Sequence, residues 1–258
     1  MVRFKSIVLL IACPLLTTFV LGGLPSRVHE FAHVVDGVVA NLKMNTTIYV
    51  RNQSMKEANI TVKFYDDSGE PWVVKIGTAE ASTHIAKIAA NGMAKLTTAG
   101  TGELGTGWAT LTADREVGAQ LFFEIFEDGK LTAQAAVEPV GSMHSAEIFV
   151  DFDMSAGQRT GLAIANLSDV GPVEVSIGLS DETGGDNRSG GLNVPSLGHT
   201  AKFIDEIFAM EQIKKYRGTV QILADGPISV LALQQTGLVI GTLVPIQRTL
   251  IGRFGGEE

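Results

Sequence analysis

"TTIYVRNQS" (Thr46–Ser54) and "TGLAIANLS" (Thr160–Ser168) lie in opposite halves of the chain and carry one pattern. Each sets alternating apolar residues, Ile48 and Val50 or Leu162 and Ile164, ahead of a shared Asn-x-Ser. Period-two alternation marks a half-buried strand, and the Asn-x-Ser that closes it is turn chemistry.

The match extends in both directions. "ITVKFYDDSG" (Ile60–Gly69) and "VEVSIGLSDETG" (Val173–Gly184) both alternate and then break in an acidic, glycine-ended turn of the kind that closes a hairpin. "GWATLTAD" (Gly107–Asp114) aligns with "GTVQILAD" (Gly218–Asp225) without a gap, and a second alternating run follows each, Val117–Phe123 and Ile228–Gln234. The copies end alike, in "VEPV" (Val137–Val140) and "LVPI" (Leu243–Ile246). The chain therefore encodes one module twice. About seven short strands per copy, divided by turn residues, predict an antiparallel β-sandwich. The expected fold is all-β: two tandem immunoglobulin-like sandwiches over residues 27–141 and 143–248, divided near "GSMHS" (Gly141–Ser145) and followed by a tail, 249–258. One segment has another period. In Leu197–Gly218, Phe203, Ile204, Ile207 and Phe208 recur at helical spacing behind Thr200, a possible cap, which predicts a short helix lidding the second module.

The N-terminus reads as a targeting signal. Arg3 and Lys5 precede the apolar run Ser6–Gly23, and Gly22–Gly23 offer a cleavage point, so residues 1–24 are expected to be a secretory signal peptide. Pro14 and the missing basic flank argue against a permanent span. The single cysteine, Cys13, lies inside this run; "LIAC" (Leu10–Cys13) resembles a lipoprotein cleavage box, but the apolar stretch before it is too short to favour lipid anchoring. After cleavage the mature chain has no cysteine, so its stability must come from packed cores. Losing Arg3 and Lys5 moves the formal charge from −8 to −10. With acids dispersed and no basic patch, nucleic acid is not an expected partner.

The residues with catalytic appearance are few. "HEFAH" (His29–His33) matches H-E-x-x-H, in which two histidines on one helical face bind zinc and Glu30 activates the bound water. Almost nothing but the signal precedes it, no third ligand follows, and Asp36 and Val39 stand where the longer metzincin form needs glycine and histidine. The repeat instead assigns "EFAHVVDG" (Glu30–Gly37) to an opening strand, opposite "EIFVDFDM" (Glu147–Met154) in copy two. The acidic turns Asp66–Glu70, Glu127–Gly129, Asp151–Asp153 and Asp181–Asn187 lack EF-hand spacing and read as solvated hairpin turns, with calcium binding left open. Trp72 and Trp108 would form only a sparse sugar platform, and Trp108 aligns with Thr219 within a strand. His84, His144 and His199 have no spaced partner, and the five N-x-S/T triplets arise readily from asparagine-rich turns.

The ordered motifs resemble a family of tandem β-sandwich modules, of unknown function, in secreted and surface proteins of environmental bacteria. The resemblance rests on "EFAHVVDG", "TTIYVRNQS", "VKFYDDSGEP", "LTTAGTGELGTGWATLTAD" and "VGAQLFFEIFEDG" in copy one. In copy two it rests on "VPSLGHTAKFIDEIF", "YRGTVQILADGPISVLALQQ" and "LVPI". It implies an extracytoplasmic sandwich with no catalytic residues to carry over. The chain departs from it at "VVANLKMN" (Val38–Asn45), where relatives are glycine-rich, which leaves the first hairpin open.

The expected role is that of a non-catalytic secreted, periplasmic or cell-surface protein acting in structure, adhesion or accessory binding, with no cofactor and no bound metal. Its partner would be a protein or glycan, or a second copy met through edge strands. The alternatives are a carbohydrate-binding protein and, more remotely, a zinc hydrolase using His29 and His33.

Overall fold

The computed structural model describes residues 24–185, 187–208, 210, 214–243 and 245–246; the signal run with Cys13 and the tail lie outside them. Module 1 contains β1 (Ser26–Val39), β2 (Leu42–Asn52), β3 (Ala58–Asp66), β4 (Val74–Ile76), β5 (Ala79–Ala81), β6 (Thr83–Ile88), β7 (Met93–Thr97), β8 (Gly105–Glu127) and β9 (Lys130–Val137). Module 2 contains β10 (Met143–Asp153), β11 (Gln158–Asn166), β12 (Val173–Asp181), β13 (Asn187–Val194), β14 (His199–Phe203), the helical turn α1 (Ile204–Ile207), β15 (Lys215–Thr236) and β16 (Val239–Leu243). Each module is one seven-stranded antiparallel sheet; β4 and β5 form a separate small hairpin. Among the described residues no helix is long and apolar enough to cross a membrane.

The two alternating runs of each copy form a single long strand. The first half of β8 lies between β3 and β1, and its second half lies between β2 and β9. Where it bends, the register with β1 jumps from Thr112 to Val117, and Asp114 accepts the amide of Asn59. β15 repeats the device: its register with β10 jumps from Leu223 to Ile228, and Asp225 accepts the amide of Glu174. One sheet thus folds over itself into two layers. Phe31, Val62, Phe64 and Leu111 of one layer meet Ile48, Val50 and Leu121 of the other in a closed core.

Repeated residues do repeated structural work. Asn52, fully buried, donates to the carbonyls of Lys56, Ile88 and Ala89 and accepts the amide of Ser54. Asn166, also fully buried, donates to Gly171, Val194 and Pro195 and accepts the amide of Ser168. The shared Asn-x-Ser is therefore an internal clasp that ties its own turn to the neighbouring loop. Gly107 and Gly218 are the same close approach, since a Cβ on either would stand about 2 Å from the carbonyl oxygen of Tyr65 or Ser180. The first hairpin, left open by the sequence, turns tightly: Val39 pairs with Leu42 around Ala40, which takes φ 53°.

The short helix of module 2 is present as a single turn. Two finer expectations need correction. Thr200 does not cap it but belongs to β14, and α1 starts after Phe203, whose amide donates to Glu206. Hydrogen bonding along β11 claims the preceding residues for the sheet. The alignment of the opening strands also slips by one residue. Phe31 pairs with Ala109 and Val34 with Gly107, so Ala32 and His33 together oppose Trp108; in β10 the single residue Phe149 opposes Thr219. Module 1 carries a β-bulge that module 2 lacks, and a bulge re-aims side chains.

The modules pack face on face. The outer surface of β1 and β8 receives the outer surface of β11 and β15, so Ala163, Ala165 and Leu231 of module 2 join the core of module 1. The module-2 loop Pro195–His199 is hydrogen-bonded to module 1. Trp108 Nε1 donates to the Leu197 carbonyl at 2.6 Å, and the His199 amide donates to the Asp67 carbonyl. Leu197 sits in the left-handed region (φ 52°), where module 1 places Asn91 (φ 55°) in the same loop. A leucine there costs roughly 1 kcal/mol, a strain offset by its packing against the core of module 1.

Replacing Asn166 with alanine removes the donor to the Gly171, Val194 and Pro195 carbonyls, of which Pro195 keeps the Gly198 amide, and is expected to lower stability by about 1–3 kcal/mol, read from the midpoint of urea unfolding. Leu197→Asn relieves the backbone strain but removes the docking side chain. Limited proteolysis near Gly141–Ser145 should then accelerate while each module's core stays protected.

Candidate functional site

The bulge turns His33 out of its own sandwich and into the module interface. His33 is 9% exposed and its Nδ1 lies 3.0 Å from Nε2 of His199, itself 3% exposed; the rings stack with centroids 5.0 Å apart. His199 Nδ1 lies 2.8 Å from Asp67 Oδ1, and Thr106 donates to the same carboxylate. Asp67, His199 and His33 thus form one hydrogen-bonded file running inward from the surface between the modules. At its inner end His33 lines a cleft of about 370 Å³. Module 1 lines the cleft with Val35, Leu42, Met44, Phe123 and Ile125, and module 2 with Ala163, Phe203, Leu233 and Ile240.

The remaining H-E-x-x-H residues go elsewhere. His29 donates from Nε2 to the Val117 carbonyl at 2.7 Å. On a strand, four residues span about 13 Å, whereas two ligands of one zinc ion each lie about 2 Å from it. The motif's helical geometry is absent because the segment pairs with β8. Glu30 is held on the strand with its Oε2 buried and without a hydrogen bond; burial pushes its carboxyl above the ordinary range, against the opposing hydrogen bond of Thr110. Among the described residues no group of three or more His, Cys, Asp or Glu is placed to hold a metal ion.

The other candidates serve the fold. Asp66 and Asp181 each cap their own turn, accepting two backbone amides and a hydroxyl. Asp153 is paired with Lys215 and Ser155, which hold its carboxyl down at about 2. Trp108 is buried, and the Trp72 ring covers Gly105 and Gly107, so the two indoles form no open platform. His84 bonds to the carbonyls of Val74 and Ala81, and His144 is exposed. Sequence reasoning missed His199 and Asp67 as partners of His33, since they join it only through the packing of the two modules. The single usable signal was the extra residue in the opening strand of module 1.

With this geometry the chain belongs to the class of two-module antiparallel β-sandwich proteins. Compared with models of known protein families and with curated protein sequences, it matches none.

Burial pushes His33 down from the ordinary 6.5 to about 3, with His199 acting in the same direction and Asp67 opposing. Burial also lowers His29, against its backbone hydrogen bonds. The unfolded chain then takes up protons that the folded chain refuses, so stability is lost as pH falls from about 6.5 towards about 3. Glu30 and Asp36, both raised by burial, act in the opposite sense: their contribution is lost as pH rises through the carboxylate range. In His33→Phe, the slope of unfolding free energy between about pH 6.5 and pH 5 should fall by up to about 1.4 kcal/mol per pH unit, measured by urea unfolding across a pH series.

Proposed function

We propose that this is a non-catalytic extracytoplasmic protein, secreted or held at a bacterial cell surface, with a structural, adhesive or accessory binding role. One observation carries the reading: several polar residues that look chemical in the sequence are spent on backbone and turn hydrogen bonds. His29 bonds to Val117, Trp108 to Leu197, and Asp66 and Asp181 cap turns. What remains available to a partner is surface. β6 pairs only with β3, and β13 only with β12, among the described residues, so both leave a sheet edge to which another strand can add. Extracytoplasmic location rests on the basic and apolar N-terminal run and on the cysteine-free mature chain.

Expressed with its N-terminal segment in a bacterial host, the protein is expected in the extracytoplasmic fraction with a mature N-terminus near Leu24, read by mass spectrometry. The purified protein should contain no stoichiometric zinc. Turnover of a peptide, ester or glycan that Glu30→Gln abolishes would overturn the non-catalytic reading.

A further inference from the structure

The cleft between the modules supports an inference that goes beyond this structural role and does not depend on it. We propose that it binds a small apolar molecule that donates one hydrogen bond, an aliphatic alcohol or an alkylphenol, to Nε2 of His33.

The volume, about 370 Å³, falls within the range of about 300–1,000 Å³ seen for small-molecule sites, which are mostly apolar with a few fixed polar groups. Met44, Phe123, Leu233 and Ile240 supply the apolar wall. The fixed polar group is His33, nine-tenths buried, whose Nε2 has no hydrogen-bond partner among the described residues.

The file behind it decides what that nitrogen can do. A carboxylate only accepts, so Asp67 requires the proton of His199 on Nδ1. In the uncharged imidazole pair this leaves Nε2 of His199 as an acceptor, and His33 must donate to it from Nδ1. Nε2 of His33 is then an acceptor with no donor among the described residues, on a side chain that lines the mostly apolar cleft. A hydroxyl satisfies it. An ether or carbonyl oxygen of the same shape meets it lone pair to lone pair and leaves it unmet, at the cost of a buried unsatisfied acceptor. The exposed side of the cleft carries Ala201, Lys202 and Glu206, and Glu206 is already engaged by Arg159 and the amide of Phe203. A hydrocarbon tail can leave past Ala201 without displacing an ion pair.

The test is isothermal titration calorimetry of the full-length protein with para-pentylphenol and its methyl ether, para-pentylanisole. It is run at about pH 8, above the ordinary imidazole range. The phenol is expected to bind one to one and the ether roughly tenfold more weakly. His33→Phe keeps an apolar ring but no acceptor, and should bind the two equally. Ala201→Trp, at an exposed position, leaves the fold intact, fills the cleft and should abolish binding of both. Equal binding of phenol and ether by the native protein, or binding of neither, would overturn the proposal. So would a preference that survives in His33→Phe, or binding untouched by Ala201→Trp. Any of these results leaves the structural role standing, because that role makes no use of the cleft.

Discussion

The bulge at Ala32–His33 is the constraint on which the polar part of the interface depends. Without the extra residue, β1 would present one side chain opposite Trp108, as β10 presents Phe149 opposite Thr219. With it, four successive residues, Phe31 to Val34, are buried, which a regular strand with one solvated face does not do. Phe31 and Val34 fill the sandwich of module 1, while His33 is left to meet module 2. The file to Asp67 and the polar end of the cleft follow from that redirected side chain, while the Pro195–His199 loop is held by Trp108 and the Asp67 carbonyl.

The two modules differ in the faces they offer to a contact of this kind. The contact joins one face of module 1 to a different face of module 2, a geometry that in principle propagates. The face that module 2 uses is made by Ala163, Ala165 and Leu231. At the equivalent register in module 1 stand Tyr49, Arg51 and Gln120. A bulky ring, a guanidinium and an amide there cannot settle onto an apolar surface without losing hydration. The face of module 2 that would receive the next module carries Phe149 (65% exposed) and Leu223 (47% exposed) without a tryptophan or a bulge. The contact between modules 1 and 2 is therefore not repeated by the same residues, and Phe149 and Leu223 stay exposed on that face of module 2.

Much of the fold was legible because it is written twice and locally. Alternation located the strands, the acidic turns located the hairpins, and the gapless match of Gly107–Asp114 with Gly218–Asp225 fixed the register of the central strand. Three features escaped. That the two runs of each copy form one bent strand depends on Asp114 and Asp225 bracing the bend, which alternation cannot report. The short helix was legible in its apolar period, but its start was not: pairing with β11 keeps Thr200 in a strand, a tertiary choice. The pairing of His33 with His199 joins residues 166 positions apart, and no spacing rule reaches across a module interface.

Duplication offers an internal control for separating structure from chemistry. A residue present at the same place in both modules and making the same bonds in each is explained by the module itself. Asn52 with Asn166, Thr46 with Thr160 and Asp66 with Asp181 are of this kind, each pair binding equivalent backbone groups. The residues of the file fall on the other side. His199 stands where module 1 has the exposed Met93, Asp67 stands where module 2 has Glu182, and His33 lies in a bulge with no counterpart. Folding one sandwich requires none of them, since the other module folds without them. Docking alone does not require them either, because Leu197, Trp108 and the alanine face already hold the modules together. A buried imidazole, His33, held well below its ordinary pKa at the expense of acid stability and set at the end of an apolar cleft, is a cost that the module fold does not explain, and a ligand in that cleft would.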